Sequence, residues 1–208
     1  MSEEIFDIVD ENDIVIGTAP RRKCHGDPSL IHRTAHVVIV HPDGKRILLQ
    51  RRTMSKDIQP GKWDTAVGGH LDHGEDYETA ARREMNEELG LPPDLPLRHL
   101  FDSQIRNSAE SENVRVFAAV SAGPFRFQKS EIDEIRFFRA EDLERQKADF
   151  TPNLVQELKK LHEEHFFFEK GIAKTAKMCY NVFILLHLEK CKDFQKKDFR
   201  LCFVHCFF

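Results

Sequence analysis

The sequence predicts an α/β (α+β) chain, a mixed β-sheet covered by helices. Three observations carry this expectation. β-rich runs pair around tight-turn residues, strand-like and helix-like segments alternate along the chain, and one helix ends at a glycine followed by two prolines. At 208 residues and 24.2 kDa the chain is long enough for one domain with an appendage and a real core.

The elements follow in order. IFDIVDENDIVIGTA reads as a hairpin around Glu11-Asn12-Asp13, and the polar stretch PRRKCHGDPSLIHR follows it. AHVVIVHPDGKRILLQRR is a second hairpin, closed by Pro42-Asp43-Gly44. KWDTAV is a short strand expected to end at Gly68-Gly69. Glu75 to Leu89 reads as a helix that Gly90 and Pro92-Pro93 stop. LRHLFDSQIR and ENVRVFAAVSA are strands, and EIRFFRAEDL is a strand running into a short helix. TPNLVQELKKLHEEHF is a helix with Thr151 as N-cap, Pro152 at its first position and an apolar stripe of Leu154, Leu158 and Leu161.

The chain divides at about residue 165. Residues 1–165 form the expected main domain. Residues 166–208 are an extension of different character, holding more than half of the 17 Phe and four of the five Cys. The Cys spacings there fit no common zinc module.

Charged residues at 32% and a net charge of −4, with no long Lys/Arg block, argue against a nucleic-acid partner. No apolar run approaches the roughly 20 residues that span a bilayer. The acidic N-terminus lacks the pattern of a signal peptide. Five unevenly spaced Cys do not read as a secreted disulfide framework, so a cytoplasmic protein is expected.

The chemistry concentrates in VGGHLDHGEDYETAARREMNEELGL. At about 100° per residue, Glu84, Glu87 and Glu88 share one helix face, beside an apolar stripe of Met85 and Leu89. Like charges at this spacing repel unless neutralised. Mg²⁺ does so with carboxylate oxygens, carbonyls and water, and it usually shares its coordination with phosphates. The competing reading is a solvated acidic face. Gly68-Gly69 lets a ligand approach the backbone closely.

Gly69 to Leu91 resembles the Nudix box, G-x5-E-x7-R-E-U-x-E-E-x-G-U, in which U is a bulky aliphatic, and every specified position is filled. The resemblance implies an α/β/α sandwich in which the box is a loop–helix–loop. It implies that Glu84, Glu87 and Glu88 bind Mg²⁺ or Mn²⁺, that Gly68 or Gly69 adds a carbonyl, and that Arg83 pairs with Glu75. The implied reaction is water attack on a nucleoside diphosphate linked to a moiety X, or on a similar small-molecule diphosphate. Glu87 and Glu88 are candidate bases; Glu131 and Glu134 are outside candidates.

The upstream residues are similar to isopentenyl-diphosphate isomerases and the bacterial Nudix hydrolases related to them. The likeness rests on the opening hairpin, His25 and His32, Arg51-Arg52, Ser55-Lys56 and Pro60-Gly61-Lys62-Trp63. It implies a second metal site of His25, His32, His70, Glu110 and Glu112, and phosphate contacts from Arg51, Arg52 and Lys56. A homodimer is also compatible with it. Gly68 stands where the isomerases carry a catalytic Cys, and the box is intact, so hydrolysis is expected over isomerisation. An isomerase-like enzyme and a non-catalytic diphosphate-binding module are the alternatives. Trp63 reads as a core or wall residue.

Overall fold

The computed structural model describes residues 3–56 and 58–163. The expectations for residues 166–208 lie outside the described residues. The chain begins with β1 (Ile5–Val9) and β2 (Val15–Pro20), an antiparallel pair, followed by the short α1 (Arg21–Cys24). The remaining strands are β3 (Ile31–Val40), β4 (Arg46–Arg52), β5 (Trp63–Thr65), β6 (Val67–His70), β7 (Arg98–Arg106), β8 (Ser111–Val120) and β9 (Ile132–Arg139). They form one seven-stranded sheet in the order β5-β4-β3-β8-β7, with β6 also on β3 and β9 also on β4. β3 and β8 run parallel and the other pairs antiparallel, so the sheet is mixed.

Helices cover both faces. α2 (Tyr77–Leu89) lays Ala80, Ala81, Met85 and Leu89 on Ala35, Val37, Ile39, Leu48 and Val67. On the other face, α3 (Ala140–Arg145) and α4 (Pro152–Glu163) bring Leu143, Leu154 and Leu161 to Val38, Ile47, Leu49, Val114 and Phe138. The period-2 alternation of Val37, Val38 and Ile39 between the two clusters is what a strand buried on both faces requires. Trp63 lies in the second cluster, 5% exposed, as a core residue.

The helix boundaries follow their caps. α2 begins at Tyr77 rather than Glu75, because the Asp76 carboxylate accepts the backbone N–H groups of Glu78 and Thr79. It ends at Gly90, whose φ of 66° is the left-handed conformation that favours glycine. Thr151 caps α4 through its hydroxyl to the Leu154 N–H. The buried stripe of α4 is Leu154, Glu157 and Leu161 rather than Leu154, Leu158 and Leu161.

Two features open the sheet. β3 and β4 pair only at the Val40–Ile47 end of their hairpin and then diverge. β5 follows β4 and β6 follows β3, with Ala66 at the corner. The strand therefore does not end at Gly68-Gly69: both glycines lie inside β6, paired with His36 and Ala35. The cleft lies where the strands part.

Candidate functional site

The cleft has a volume of about 670 Å³. Its walls carry Gln50 and Arg52 of β4, Thr34 and His36 of β3, Gly68 to His70 of β6, and Glu84, Glu87 and Glu88 of α2. Lys56, Glu110, Glu112 and Glu131 also line it.

Arg83 organises the helical side. Its guanidinium donates to both Glu75 oxygens, at 3.1 and 2.8 Å, to Glu84 at 2.6 Å, to Glu87 at 3.4 Å and to the His70 carbonyl at 2.9 Å. One planar fork thus joins the loop before α2, the helix and β6. Glu75 stands outside the helix, where it also accepts the Asp72 N–H.

The three box carboxylates differ in depth. Glu87 is exposed, Glu84 is partly buried and Glu88 is 6% exposed. The expected single exposed face is therefore a graded one, because the helix rolls Glu88 toward the sheet beside Met85 and Leu89. Glu88 accepts from Gln50 Nε2 at 3.2 Å and from the Gly68 N–H at 3.4 Å. A Cβ on Gly69 would overlap the Glu84 carboxylate, so glycine at 69 lets that carboxylate lie directly against the β6 backbone. Burial pushes Glu84 above the usual carboxylate range despite Arg83. Burial, with Glu84 and Glu131 nearby, pushes Glu88 well above it. Acidic groups crowded with too little positive charge are suited to a divalent cation.

Two basic side chains also line the cleft. Arg52 pairs with Asp64 at 3.2 Å and donates to the Ile58 carbonyl, and Lys56 pairs with Glu131. Arg51 differs from the expectation. The pleat turns it away from Gln50 and Arg52, it is exposed, and its Nε bonds the Gly61 carbonyl at 3.1 Å. It does not line the cleft, and the phosphate-facing positions are those of Arg52 and Lys56. Glu131 lines the cleft and Glu134 does not.

A second cluster lies next to the first. Ligand atoms of His25, His32, His70 and Glu112 all fall within 4.8 Å of one another. Sheet register explains this: His32 is paired with Glu112 across β3 and β8, and His70 with Thr34 across β6 and β3. Phe6 stacks on His70 and His32, with ring centroids 4.5 and 5.4 Å away. His32 Nδ1 donates to the Leu30 carbonyl at 3.2 Å, which leaves Nε2 of the neutral ring with a lone pair. That Nε2 is buried without a hydrogen-bond partner, 3.5 Å from Glu112 Oε1. His70 Nε2 lies 3.2 Å from the same oxygen and 3.1 Å from His25 Nε2. Burial holds His70 below its usual range, and burial with His70 and Arg21 holds His25 down to about 4. Burial would raise Glu112, but the His32 and His70 rings beside it outweigh that and hold it well below the carboxylate range. Two imidazoles held toward the neutral form, His25 and His70, converge with His32 on an ionised carboxylate, which suits metal ligation, and Nδ1 of His32 is held by a carbonyl. Glu110 stands apart from this group. It is buried in the β7–β8 turn, where Asn107 Nδ2 donates to it at 3.3 Å.

The sequence reading did not single out His36, Gln50, Phe6 or Glu157. His36 Nδ1 donates to Glu157 at 2.7 Å. Burial would lower the ring, but Glu157 outweighs it and raises it to about 9. An acid on the apolar stripe of α4 was the signal that could have found this pair.

An α/β/α sandwich that presents buried helical carboxylates and a bare glycine backbone to a cleft that Arg52 and Lys56 also line defines a class, the diphosphate hydrolases. The family model of the NUDIX domain matches residues 30–161, and the chain belongs to the Nudix hydrolases, which act on phosphoanhydride bonds. It is 40% identical over 159 residues to an uncharacterized Nudix hydrolase of Yersinia pestis, a match covering 74% of this chain and 84% of that protein. It is 36% identical over 161 residues to the uncharacterized Nudix hydrolase YfcD of Escherichia coli K12, covering 76% and 86%. The crystal structure of DR0079 from Deinococcus radiodurans superposes with a TM-score of 0.66 at 26% identity, covering 76% of this chain and 98% of that one. Among the described residues no helix is long and apolar enough to cross a membrane.

Proposed function

We propose that this chain is a metal-dependent pyrophosphohydrolase that cuts a nucleoside diphosphate linked to a moiety X, or a similar small-molecule diphosphate, with Mg²⁺ or Mn²⁺. The observation that carries this reading is that Glu84, Glu87 and Glu88 line one cleft together with Arg52 and Lys56. The three glutamates would hold the cation, with a backbone carbonyl of Gly68 or Gly69 beside them. A divalent cation there neutralises phosphate oxygens and acidifies the attacking water. Arg83 fixes the carboxylates through Glu75 and the His70 carbonyl. Arg52 and Lys56 bind phosphate oxygens in the same cleft. Glu87 and Glu88 in the box and Glu131, which lines the same cleft, are the candidate proton acceptors.

Phosphate or pyrophosphate release across nucleoside, nucleotide-sugar and isoprenoid diphosphates, with either cation, tests the reading. Turnover should fall at least about a hundredfold in Glu84→Gln and Glu88→Gln. Among Glu87→Gln, Glu88→Gln and Glu131→Gln, the base is the one that loses kcat while keeping Mn²⁺ affinity. A wild-type protein inert on every compound would remove the hydrolase reading.

The His25, His32, His70 and Glu112 cluster favours a related second point. We infer a second divalent site there and kinship with the isomerase-like branch, with Mn²⁺ or Zn²⁺ suiting an imidazole-rich set better than Mg²⁺. Gly68 provides no thiol to move a proton at a double bond. Incubating isopentenyl diphosphate in D₂O with the protein should therefore give no deuterium exchange by NMR.

A further inference from the structure

We propose that His36 is a substrate-contacting residue: the wall formed by His36 and Gly68, backed by Glu157, is the subsite for the X group, and His36 Nε2 hydrogen-bonds an oxygen of that group. The proposal deepens the hydrolase reading and rests on it.

His36 and Gly68 are directly opposed on neighbouring strands, so their side-chain directions share one face. A Cβ on Gly68 would lie 3.3 Å from His36 Cδ2 and Nε2, tighter than ordinary contact. Glycine at 68 therefore leaves the Nε2 edge of the ring open to the cleft. The other edge is fixed by Glu157, which accepts from Nδ1 at 2.7 Å. Among the described residues no hydrogen bond is made by Nε2.

Glu157 is the unusual part. It occupies a core position of α4 between Leu154 and Leu161 and is 6% exposed. An apolar side chain would fill that place without the cost of desolvating a carboxylate, and buried ion pairs rarely gain over such a replacement. A carboxylate on Nδ1 does something that packing cannot: it fixes the ring orientation and leaves Nε2 as the polar atom that a ligand in the cleft must satisfy.

The subsite adjoins the reaction centre. The Gly68 N–H bonds Glu88, while the Cα side of the same residue faces His36. A diphosphate held at Glu84 and Glu88 thus places its appended group against His36, with Thr34, Thr65 and Gln50 also on the walls. The wall selects an oxygen-bearing X, such as a nucleobase or a sugar, and disfavours an apolar isoprenoid chain, which would leave Nε2 unpaired.

Three proteins test this: wild type, the double variant His36→Phe/Glu157→Leu, and Gly68→Ala. The double variant replaces both partners by apolar groups, so neither is left buried alone, and Gly68→Ala crowds Nε2 while keeping the His36–Glu157 bond. The compounds are the four ribonucleoside diphosphates and triphosphates, ADP-ribose and isopentenyl diphosphate, with inorganic pyrophosphate as inhibitor. Wild type should prefer an oxygen-bearing X. Both variants should raise KM for that substrate by about tenfold or more, and in the double variant kcat should change by less than about threefold. In the double variant, inhibition by pyrophosphate should stay within about twofold, because it reaches the carboxylate centre but not the wall. An unchanged KM, an equal loss for pyrophosphate, or isopentenyl diphosphate as the best substrate would each overturn the proposal. If wild type hydrolyses nothing, the hydrolase reading fails, and calorimetric titration of the same compounds in Mn²⁺ judges the subsite. It stands only if the double variant loses about tenfold affinity for the tightest oxygen-bearing compound and not for pyrophosphate.

Discussion

Arg83 and Glu88 show that single residues here serve opposite ends. Arg83 neutralises Glu75 and Glu84, both largely buried, so Arg83→Ala leaves two carboxylates without their main partner. It should cost about 3 kcal/mol in urea unfolding and weaken Mn²⁺ binding. A loss under about 1 kcal/mol would show that the clasp is ornamental to stability. Glu88 works against folding. Burial, Glu84 and Glu131 hold its folded pKa well above the unfolded value, so ionising it at neutral pH opposes the folded state. Glu88→Gln should therefore raise Tm in metal-free buffer while abolishing turnover, the expected trade at a functional site. An unchanged or lower Tm would contradict this. Which residues form the box was legible in the sequence, because nine spaced positions identify it. The depth of Glu88 was not, since helical spacing gives direction around an axis but not how far the helix rolls toward the sheet. Arg51 failed for a similar reason: strand parity, not proximity in sequence, decides which of two adjacent arginines faces the cleft.

At the scale of elements, the hairpins and helix ends were legible because their signals are local: Pro42-Asp43-Gly44, Asp76, Gly90 and Thr151 each act within a few residues. The parallel pairing of β3 with β8 is non-local, and it brings His32 beside Glu112 while leaving Glu110 outside. The docking of the N-terminal hairpin is equally non-local. Asp7, 3% exposed on β1, accepts from Arg33 at 2.9 Å, His73 at 2.6 Å and the Gly74 N–H at 3.0 Å. These bonds outweigh burial and hold Asp7 below its usual range. A carboxyl with a depressed folded pKa stabilises above its unfolded value of 3.8 and loses that contribution as pH falls through the folded value. Asp7→Asn should remove this part of the acid sensitivity. It should also speed amide exchange in β1 and β2 by about tenfold or more while leaving β3 and β8 unchanged. Equal protection of the hairpin in variant and wild type would show that Phe6, Ile8 and Ala19 hold it unaided.

For the molecule as a whole, His25 follows α1, His32 sits on β3, His70 ends β6 and Glu112 lies on β8, so one ion at their centre would staple four segments far apart in the chain. His70 is also the residue whose carbonyl Arg83 grips, which links that staple to the box. Such a site binds the folded chain and has little counterpart in the unfolded one, so occupancy must add stability by mass action. At a hundredfold excess over Kd the gain is about 2.7 kcal/mol, or roughly 5–10 °C in Tm for a chain of this size. Thermal melts in Zn²⁺ or Mn²⁺ should show a rise of that order, reversed by chelator. His32→Ala should abolish most of it, since His32 supplies the buried unpartnered nitrogen. Glu87→Gln should keep it, because that carboxylate belongs to the other centre. A rise that survives His32→Ala but vanishes in Glu87→Gln would place the stabilising ion in the box and leave the histidines as a packed, metal-free cluster under Phe6.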